Sequence, residues 1–201
     1  MNNNLNSELF DYKNFAHREF IDRFEYPWEA IKNLEKYLLE QKDEKIIGDG
    51  TVIDKSAKIE GRVIIGKNCI IRDNVLIRGG CIIGDNVIIG HAVEIKNSIL
   101  LNDSSAGHLN YIGDSIIGNE VKIGGGAITA NFRFDQQSII VKFNDDKFNT
   151  DMIKLGSMVG DGSRIGANAV LNPGTILGKN TLVYPLVSVH GTYPEQSVIK
   201  G

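Results

Sequence analysis

A six-residue repeat constrains this chain more than any other feature of its sequence. Every sixth position from residue 47 holds a large aliphatic residue: Ile47, Ile53, Ile59, Ile65, Ile71, Ile77, Ile83, Ile89, Ile95 and Leu101. The fourth residue after each is of restricted size: Thr51, Ala57, Val63, Cys69, Val75, Cys81, Val87, Val93 and Ile99. The phase returns later in the chain at Val159, Ile165, Leu171, Leu177, Val183 and Val189. This spacing fits neither the period of an α-helix nor the simple alternation of an ordinary strand.

The repeat predicts a left-handed parallel β-helix, in which the chain winds into a triangular prism. Each six-residue unit forms one short strand and one turn, and three such units close a coil. The aliphatic residue points inward, the smaller residue lies near the corner, and Gly or Asn supplies the turn conformations. With 22 Gly and 4 Pro among 201 residues, the composition suits many short turns. We therefore predict an all-β fold over residues 46–201.

The first 45 residues do not follow the repeat. They are rich in aromatic side chains: Phe10, Tyr12, Phe15, Phe20, Phe24, Tyr26 and Trp28. Pro27 is suited to the first turn of a helix, and the charged residues 41–45 suit its end, so we predict a helix from about 27 to 42. We expect residues 1–45 to form an N-terminal helical cap over the first coil. A dedicated partner-binding element is the alternative.

Composition narrows the function classes. The net charge of −3 does not favour nucleic acid as a partner. Cys69 and Cys81 lie within regular repeats and lack metal-ligand spacing, so we expect small core residues and no bound metal. The N-terminus is polar where a signal peptide would be apolar, and no apolar run approaches the ~20 residues that span a bilayer. We expect a soluble, cytoplasmic protein that does not bind membranes.

The repeat is interrupted twice, at Asn102–Asn110 and at about Phe132–Ile153, and after the first interruption its phase shifts by one residue, since Ile112 and Ile117 are five apart. Function tends to appear where regularity fails, since the regular coils only build the scaffold. His108 lies in the first interruption, three residues before Tyr111, and is the candidate catalytic histidine. A lone histidine is more often structural, and the other three are interpreted in that way: His17, His91 and His190. The second interruption is polar, which predicts a loop or a short hairpin.

A pair of cations also stands out. Arg78 and Lys96 are 18 residues apart, and each directly follows an inward aliphatic residue, so they should stack in neighbouring coils. Two stacked cations repel each other unless an anion compensates. One interpretation is a solvated charge ladder in which Glu60 partly neutralises Arg78. The other is a clamp for a phosphate group, for which Arg offers a planar fork and Lys a point charge.

Three stretches carry a family resemblance: Val93–Lys96, Ser105–Asp114 and Ile123–Asn131. The most specific motif within them is Ala106-Gly107-His108-Leu109, followed by Tyr111. These stretches resemble the acetyltransferase half of the bifunctional glucosamine-1-phosphate acetyltransferase / N-acetylglucosamine-1-phosphate uridylyltransferases. The later Phe132-Arg133-Phe134-Asp135 and Lys154-Leu155-Gly156 are more similar to the archaeal version. The resemblance covers about residues 47–190.

The resemblance implies an acetyl-CoA-dependent N-acetyltransferase that acts on an amino-sugar phosphate as a homotrimer and needs no metal. His108 would be the general base, a role that suits an imidazole near neutral pH. The other implied roles are phosphate binding by Arg78, Lys96 and Lys154, sugar orientation by Tyr111, sugar contact at Lys122, and acetyl-CoA contacts at Asn131, Ala167 and Tyr184.

The chain departs from the family pattern at two places. Lys122 stands where the family usually has an Asn that contacts the amino sugar, and Tyr184-Pro185 replaces small residues near the expected coenzyme groove. The resemblance does not extend to the uridylyltransferase half, so we expect another protein to supply that step or a different pathway. Two alternatives follow, an acyltransferase for another sugar or nucleotide-sugar acceptor and a non-catalytic trimeric scaffold.

Overall fold

The computed structural model describes residues 5–143 and 146–201. Three helices come first: α1 (Leu5–Leu9), α2 (Arg18–Ile21) and α3 (Pro27–Leu39). The strands then follow in chain order: β1 (Lys45–Ile47), β2 (Val52–Ile53), β3 (Lys58–Ile59), β4 (Val63–Ile65), β5 (Ile70–Ile71), β6 (Leu76–Ile83), β7 (Ile88–Ile89), β8 (Glu94–Leu100), β9 (Ser105–Ala106), β10 (Tyr111–Gly113), β11 (Ile116–Ile117), β12 (Lys122–Ile123), β13 (Ile128–Thr129), β14 (Ile140–Phe143), β15 (Asp146–Asn149), β16 (Met158–Val159), β17 (Arg164–Ile165), β18 (Val170–Leu171), β19 (Ile176–Leu177), β20 (Leu182–Val183), β21 (Ser188–Val189), β22 (Thr192–Tyr193) and β23 (Val198–Ile199).

These strands form the three faces of a prism. Face 1 comprises β3, the first half of β6, the first half of β8, β10, β13, β18 and β21. Face 2 comprises β1, β4, the second halves of β6 and β8, β11, β16, β19 and β22. Face 3 comprises β2, β5, β7, β9, β12, β17, β20 and β23, one parallel strand from each of eight coils. The predicted left-handed parallel β-helix is confirmed.

The interior of the prism is filled as the repeat predicts over most of its length. The aliphatic residues from Ile65 to Ile95 at six-residue steps lie in one buried cluster, as do all six of the later phase, Val159 to Val189. Cys69 and Cys81 are buried thiols in this cluster. Burial raises the pKa of Cys81 to about 12. Ile47 is 42% exposed because it belongs to the first coil, where no coil lies below it.

The predicted phase fails at one corner. Arg78 pairs with Lys96, but Ile83 pairs with Leu100, so the chain has lost one residue between these positions. Leu100 therefore faces the interior in place of the predicted Leu101. Ser98 likewise takes the place predicted for Ile99, opposite Cys81. Ile99 and Leu101 instead turn outward and are buried against the N-terminal helices.

The two interruptions have different outcomes. Asn102–Asn110 is a regular part of a coil rather than a break, since β9 pairs with β7 and Ala106 occupies the inward position. A small alanine there hid the repeat from the sequence pattern. The second interruption is a real insertion between β13 on face 1 and β16 on face 2. It contains the antiparallel hairpin β14–β15, as predicted.

Helix α3 begins at Pro27, as predicted, and ends at Leu39. Glu29 in its first turn accepts a hydrogen bond from the Tyr26 backbone N–H at 2.9 Å, which satisfies a donor at the helix start. At the other end the Arg62 guanidinium donates to the carbonyl oxygens of Leu38 (3.4 Å) and Gln41 (3.1 Å). These bonds fix the end of α3 and the residues that follow it to the prism.

The N-terminal helices lie along face 2, so the predicted placement over the first coil is wrong. The outward residues of face 2 are aliphatic or Met in seven coils. Ile46 of the first coil is partly buried, and the other six are buried: Ile64, Ile82, Ile99, Ile116, Met158 and Ile176. They form one buried cluster with helix residues that include Phe20, Trp28 and Leu38. An apolar strip of this length needs a cover in water, and an end cap could not provide it. The division into domains at residue 45 stays a prediction.

Candidate active site

The corner between faces 1 and 2, where Asp114 follows β10, concentrates polar contacts. The Asp114 side chain is only 5% exposed. Its carboxylate accepts hydrogen bonds from Lys96 Nζ at 2.8 and 3.0 Å and from Asn97 Nδ2 at 2.8 Å. The Asn131 amide also donates to it. We call this region the Asp114 corner. A buried carboxylate with three donors holds those three side chains in fixed positions.

The backbone at this corner explains why the site forms where the repeat shortens. Asn97 and Asp114 both adopt positive φ angles, 45° and 47°, which Asn and Asp tolerate better than most residues. The Gly113 N–H donates to Thr129 Oγ1 at 2.9 Å, and the Ser115 hydroxyl donates to the Gly113 carbonyl at 2.7 Å. These buried hydroxyl groups anchor the turn from inside the prism.

Arg78 and Lys96 are register partners in neighbouring coils, which confirms the predicted stacking. Glu60 forms its ion pair with Lys58, at 2.5 Å, so only its charge adds to the compensation of Arg78, and it is not the ion-pair partner of Arg78. Glu94 neutralises Arg78 instead, with its carboxylate 2.6 Å from Nη2 and 2.7 Å from Nε. The hydrogen bond to Glu94 raises the pKa of Arg78.

Tyr111 joins the centre of face 1 to this corner. A Cβ built on Gly113 would lie 2.5 Å from the Tyr111 hydroxyl oxygen and 2.7 Å from the ring, so the ring lies over a glycine that leaves it room. The hydroxyl oxygen accepts a hydrogen bond from Asn131 Nδ2 at 3.0 Å. Burial, followed by the charge of Asp114, raises the pKa of the Tyr111 phenol. The hydroxyl is therefore neutral near pH 7.

Lys154 reaches the same corner from the end of the insertion. It forms an isolated bridge with Phe132, and the next residue, Leu155, donates its N–H to the Asn131 carbonyl at 2.9 Å. Lys154 and Lys96 line one cavity of about 810 Å³ between α3 and residues 151–154. We call this cavity the α3 groove. Of the three residues to which the resemblance assigns phosphate binding, Lys96 and Lys154 share this groove, whereas Arg78 does not line it and is the register partner of Lys96 in the neighbouring coil.

His108 lies on the opposite edge of face 1, at the corner between faces 3 and 1. The side chain is exposed, and its ring lies beside Gly125 of the next coil, where a Cβ would come within 3.1 Å of His108 Cδ2. Ala167 stands one coil further along the same edge, since a Cβ on Gly124 would lie 2.8 Å from the Ala167 nitrogen. We call this edge the His108 corner.

The predicted acetyl-CoA residues are divided between the two corners. Ala167 and Tyr184 belong to the His108 corner, where Tyr184 is 46% exposed and Lys200 Nζ lies 5.2 Å from its ring centre. Asn131 belongs to the Asp114 corner. Lys122 belongs to neither, since it lies on face 3, where its ammonium donates to the Asp103 carbonyl at 2.9 Å.

The Asp114 corner and the His108 corner lie on opposite edges of face 1, and the strand of three residues between them makes them roughly 10 Å apart. His108 on one side and Arg78 with Lys96 on the other border a single surface, on which Tyr111 lies. Sequence reasoning missed Glu94, Asn97 and Asp114, which position the cations. The signal that could have found them is the five-residue spacing of Ile95 to Leu100 and of Ile112 to Ile117, which marks the shortened corner.

Within residues 5–143 and 146–201, no group of three or more His, Cys, Asp or Glu side chains is placed to hold a metal ion. None of the helices in that part of the chain is long and apolar enough to cross a membrane.

Comparison with known proteins relates this chain to a family of transferases and to several curated proteins. Residues 44–79 match the family described as bacterial transferase hexapeptide (six repeats). The uncharacterized acetyltransferase YaiX of Escherichia coli O6:K15:H31 is 37% identical over 155 residues, which are 77% of this chain and 67% of that protein. The bifunctional sugar-1-phosphate nucleotidylyltransferase/acetyltransferase of Sulfurisphaera tokodaii is 35% identical over 96 residues, 48% of this chain and 24% of that protein. The bifunctional protein GlmU of Methanococcus maripaludis strain C7 is 38% identical over 94 residues, 47% and 23% of the two chains. The chain spans about a quarter of the length of these bifunctional relatives.

Proposed function

Because this chain belongs to the hexapeptide-repeat transferase family, we propose that it transfers an acetyl group from acetyl-CoA to the amine of an amino-sugar phosphate. The observation that carries the proposal is the arrangement of face 1. An exposed histidine borders one edge of this face, and two stacked cations border the other. A compact substrate with an amine at one end and a phosphate at the other could contact both edges.

In this mechanism His108 acts as the general base. Its imidazole accepts a proton from the sugar amine while the amine nitrogen attacks the thioester carbonyl carbon. The new C–N bond forms a tetrahedral intermediate, the C–S bond then breaks, and CoA leaves as a thiolate that takes up a proton. Among the described residues the Gly125 N–H has no hydrogen-bond acceptor, and the Cα of Gly125 faces the His108 ring, since a Cβ there would lie 3.1 Å from His108 Cδ2. It is our candidate for stabilising the oxyanion.

The two corners bind different molecules, the acceptor phosphate at the Asp114 corner and the coenzyme at the His108 corner. Arg78 and Lys96 hold the phosphate, and their carboxylate partners fix the direction of each cation before substrate arrives. Tyr111, whose hydroxyl oxygen already accepts a bond from Asn131, can donate its proton to a sugar oxygen. The coenzyme lies along the His108 corner past Ala167 and Tyr184.

We further propose that the protein is a homotrimer with its sites between subunits. Face 2 is covered by the N-terminal helices, whereas face 3 and the His108 corner expose aliphatic side chains. These residues and their exposed fractions are Val52 (63%), Ile88 (43%), Leu109 (66%), Leu182 (41%), Leu186 (79%) and Val198 (52%). Burial of such a surface against a second copy is favourable. Light scattering should give three times the chain mass of 22.1 kDa, and a monomer at micromolar concentration would contradict shared sites.

The activity is tested by following the release of free CoA from acetyl-CoA with a panel of amino-sugar phosphates. Glucosamine-1-phosphate is the first acceptor to use, and the unphosphorylated amino sugar is its control. We expect turnover that requires both the amine and the phosphate. Absence of CoA release with every member of the panel would refute the proposal and favour a non-catalytic scaffold.

A further inference from the structure

The α3 groove is larger than the phosphate of a sugar phosphate requires. Its volume of about 810 Å³ lies within the range of ~300–1,000 Å³ typical of small-molecule sites. One wall is α3, which contributes Lys32, Glu35 and Leu39. This helix lies outside residues 47–190, over which the sequence resembles the bifunctional acetyltransferases. The groove is thus an addition to the shared part of the site.

The floor of the groove is bare backbone. It is formed by Gly61, Gly79 and Gly80 at the same corner of successive coils. A Cβ on Gly80 would lie 2.7 Å from Leu38 Cδ1, so the close approach of α3 requires glycine at this position. A ligand in the groove can therefore lie directly against the main chain.

The walls carry two cations that are available to a ligand. Lys32 on α3 and Lys154 on the opposite wall are both exposed. Within the described residues, no carboxylate lies within 4.0 Å of either ammonium group. Arg78 and Lys96, by contrast, each have a carboxylate partner at 2.6 and 2.8 Å. Lys32 and Lys154 are thus better placed to bind an additional anion.

The remaining lining suits a partly polar, partly apolar group. Leu39 and Ile153 are 61% and 56% exposed, so each presents apolar surface to a ligand. Glu35 and Asp151 also line the groove, and carboxylates accept hydrogen bonds from the hydroxyl groups of a sugar ring. A second phosphate followed by a nucleoside combines these features, because it provides an anion, a ribose with free hydroxyls and a flat base.

Lys96 lines the α3 groove as well as bordering face 1. If the acceptor phosphate binds at Lys96, as the proposed function requires, any group attached to that phosphate continues into the groove. We propose that the groove binds the part of the acceptor beyond its first phosphate, and that the acceptor is therefore an amino sugar linked to a nucleoside diphosphate. Lys32 and Lys154 bind the second phosphate, and α3 determines acceptor specificity.

Two acceptors that differ only beyond the first phosphate test this inference. They are glucosamine-1-phosphate and uridine diphosphate glucosamine, which carry the same amine. For the wild-type protein we expect kcat/KM to be roughly ten- to a hundredfold higher with the nucleoside diphosphate sugar, the effect of one added charge-assisted contact. In Lys32→Glu this preference should be lost. Lys36→Glu is the matched control, since Lys36 is exposed on the same helix but does not line the groove, and it should keep the wild-type preference.

Equal use of the two acceptors by the wild-type protein would overturn the inference, as would an equal loss of preference in both variants. Turnover of glucosamine-1-phosphate would leave the proposed function intact in either case. If neither acceptor is acetylated, the proposed function fails. Calorimetry with uridine diphosphate alone then tests whether the groove binds a nucleoside diphosphate. Uridine diphosphate binding that weakens at least about tenfold in Lys32→Glu but not in Lys36→Glu supports the inference about the groove. No binding, or equal weakening, overturns it.

Discussion

Faces 1 and 2 are built from the same repeat, yet their outer surfaces differ. Both faces turn aliphatic side chains inward, such as Ile77 on face 1 and Ile83 on face 2. Outside, face 2 presents aliphatic residues or Met in seven coils and is covered by the N-terminal helices. Face 1 presents a mixed row, in which polar residues such as Glu94 and Tyr111 stand beside aliphatic ones such as Ile128, and these side chains stay at least partly accessible. The inward phase therefore specifies the prism, and the outward positions specify what each face does.

The difference also separates stability from function. Face 2 contributes apolar burial, which scales with the area removed from water and stabilises the chain. The polar groups of face 1 and of its two corners are paired with one another or open to solvent, so most of them contribute little to the free energy of unfolding. The first two predictions below each perturb one of these regions and state what should stay unchanged in the other.

The largest effect is expected at the His108 corner. Replacement His108→Ala should lower turnover by about 10²–10⁴-fold, because a positioned general base is removed. The melting temperature and acetyl-CoA binding should stay close to wild type, since the exposed imidazole has little packing to lose. Turnover is measured by CoA release and stability by thermal unfolding. A variant that fails to fold would make His108 structural, and full activity would place the base elsewhere.

On face 2, truncation of a sealed side chain should affect stability alone. Ile82 is fully buried between face 2 and the N-terminal helices. Ile82→Ala should lower the free energy of unfolding by about 2–5 kcal/mol, from lost burial and the cavity that remains. The activity of the folded protein, measured well below its melting temperature, should be that of wild type. The exposed Ile140 (50%) on the hairpin is the control, and Ile140→Ala should change stability little.

The two stacked cations should respond differently from each other. Arg78→Ala and Lys96→Ala should each raise the KM for the phosphorylated acceptor by roughly ten- to a hundredfold, with little effect on the affinity for acetyl-CoA. Only Lys96→Ala should also lower the melting temperature, because it leaves the buried Asp114 carboxylate without its cation. Arg78 is 39% exposed, and its partner can be solvated. A loss of acetyl-CoA affinity instead would move the anion site to the coenzyme.

The smallest effect is expected in the pH dependence of stability, through a histidine in the N-terminal region that covers face 2. Burial lowers the pKa of His17, whose Nδ1 lies 2.8 Å from the Tyr37 hydroxyl. As pH falls below about 6.5, the unfolded chain takes up a proton that the folded protein does not bind, so the free energy of unfolding decreases. In His17→Gln this decrease should be smaller. Urea unfolding of both proteins at about pH 5 and about pH 7.5 measures it, and identical pH dependence would show that His17 is not the group responsible.

Much of the fold was predictable from sequence because inward aliphatic positions leave a strict period. The solenoid, helix α3 and the hairpin were predicted and are confirmed, as is the resemblance to hexapeptide acetyltransferases. The shortened corner is visible in the sequence at the step from Ile112 to Ile117, but its earlier occurrence between Ile95 and Leu100 is hidden, because Leu100 and Leu101 are both apolar and losing one residue leaves the pattern of hydrophobicity unchanged. The predicted position of the N-terminal helices is wrong because the period places Ile99 in the interior, whereas Ile99 faces outward and belongs to the apolar strip that the helices cover.

The candidate site was predictable only in part. The stacking of Arg78 on Lys96 follows from the period, but their partners Glu94 and Asp114 do not, since these contacts depend on side-chain direction at a corner. Lys154 reaches the same corner through an insertion whose path no repeat specifies. The assigned roles of His108, Ala167 and Tyr184 rest on the family resemblance and stay predictions.

The central claim is that face 1 and its corners provide the activity, whereas the covered face 2 provides stability. The double variant His108→Ala/Ile82→Ala tests this claim most directly. Its kcat/KM and free energy of unfolding should be compared with those of the two single variants. The two sites lie on different sides of the prism, and distant, independent sites give additive effects within about 0.5 kcal/mol. The double variant should show the turnover of His108→Ala and the stability of Ile82→Ala. Stability below that of Ile82→Ala, or turnover below that of His108→Ala, by more than this margin would contradict the division between the faces.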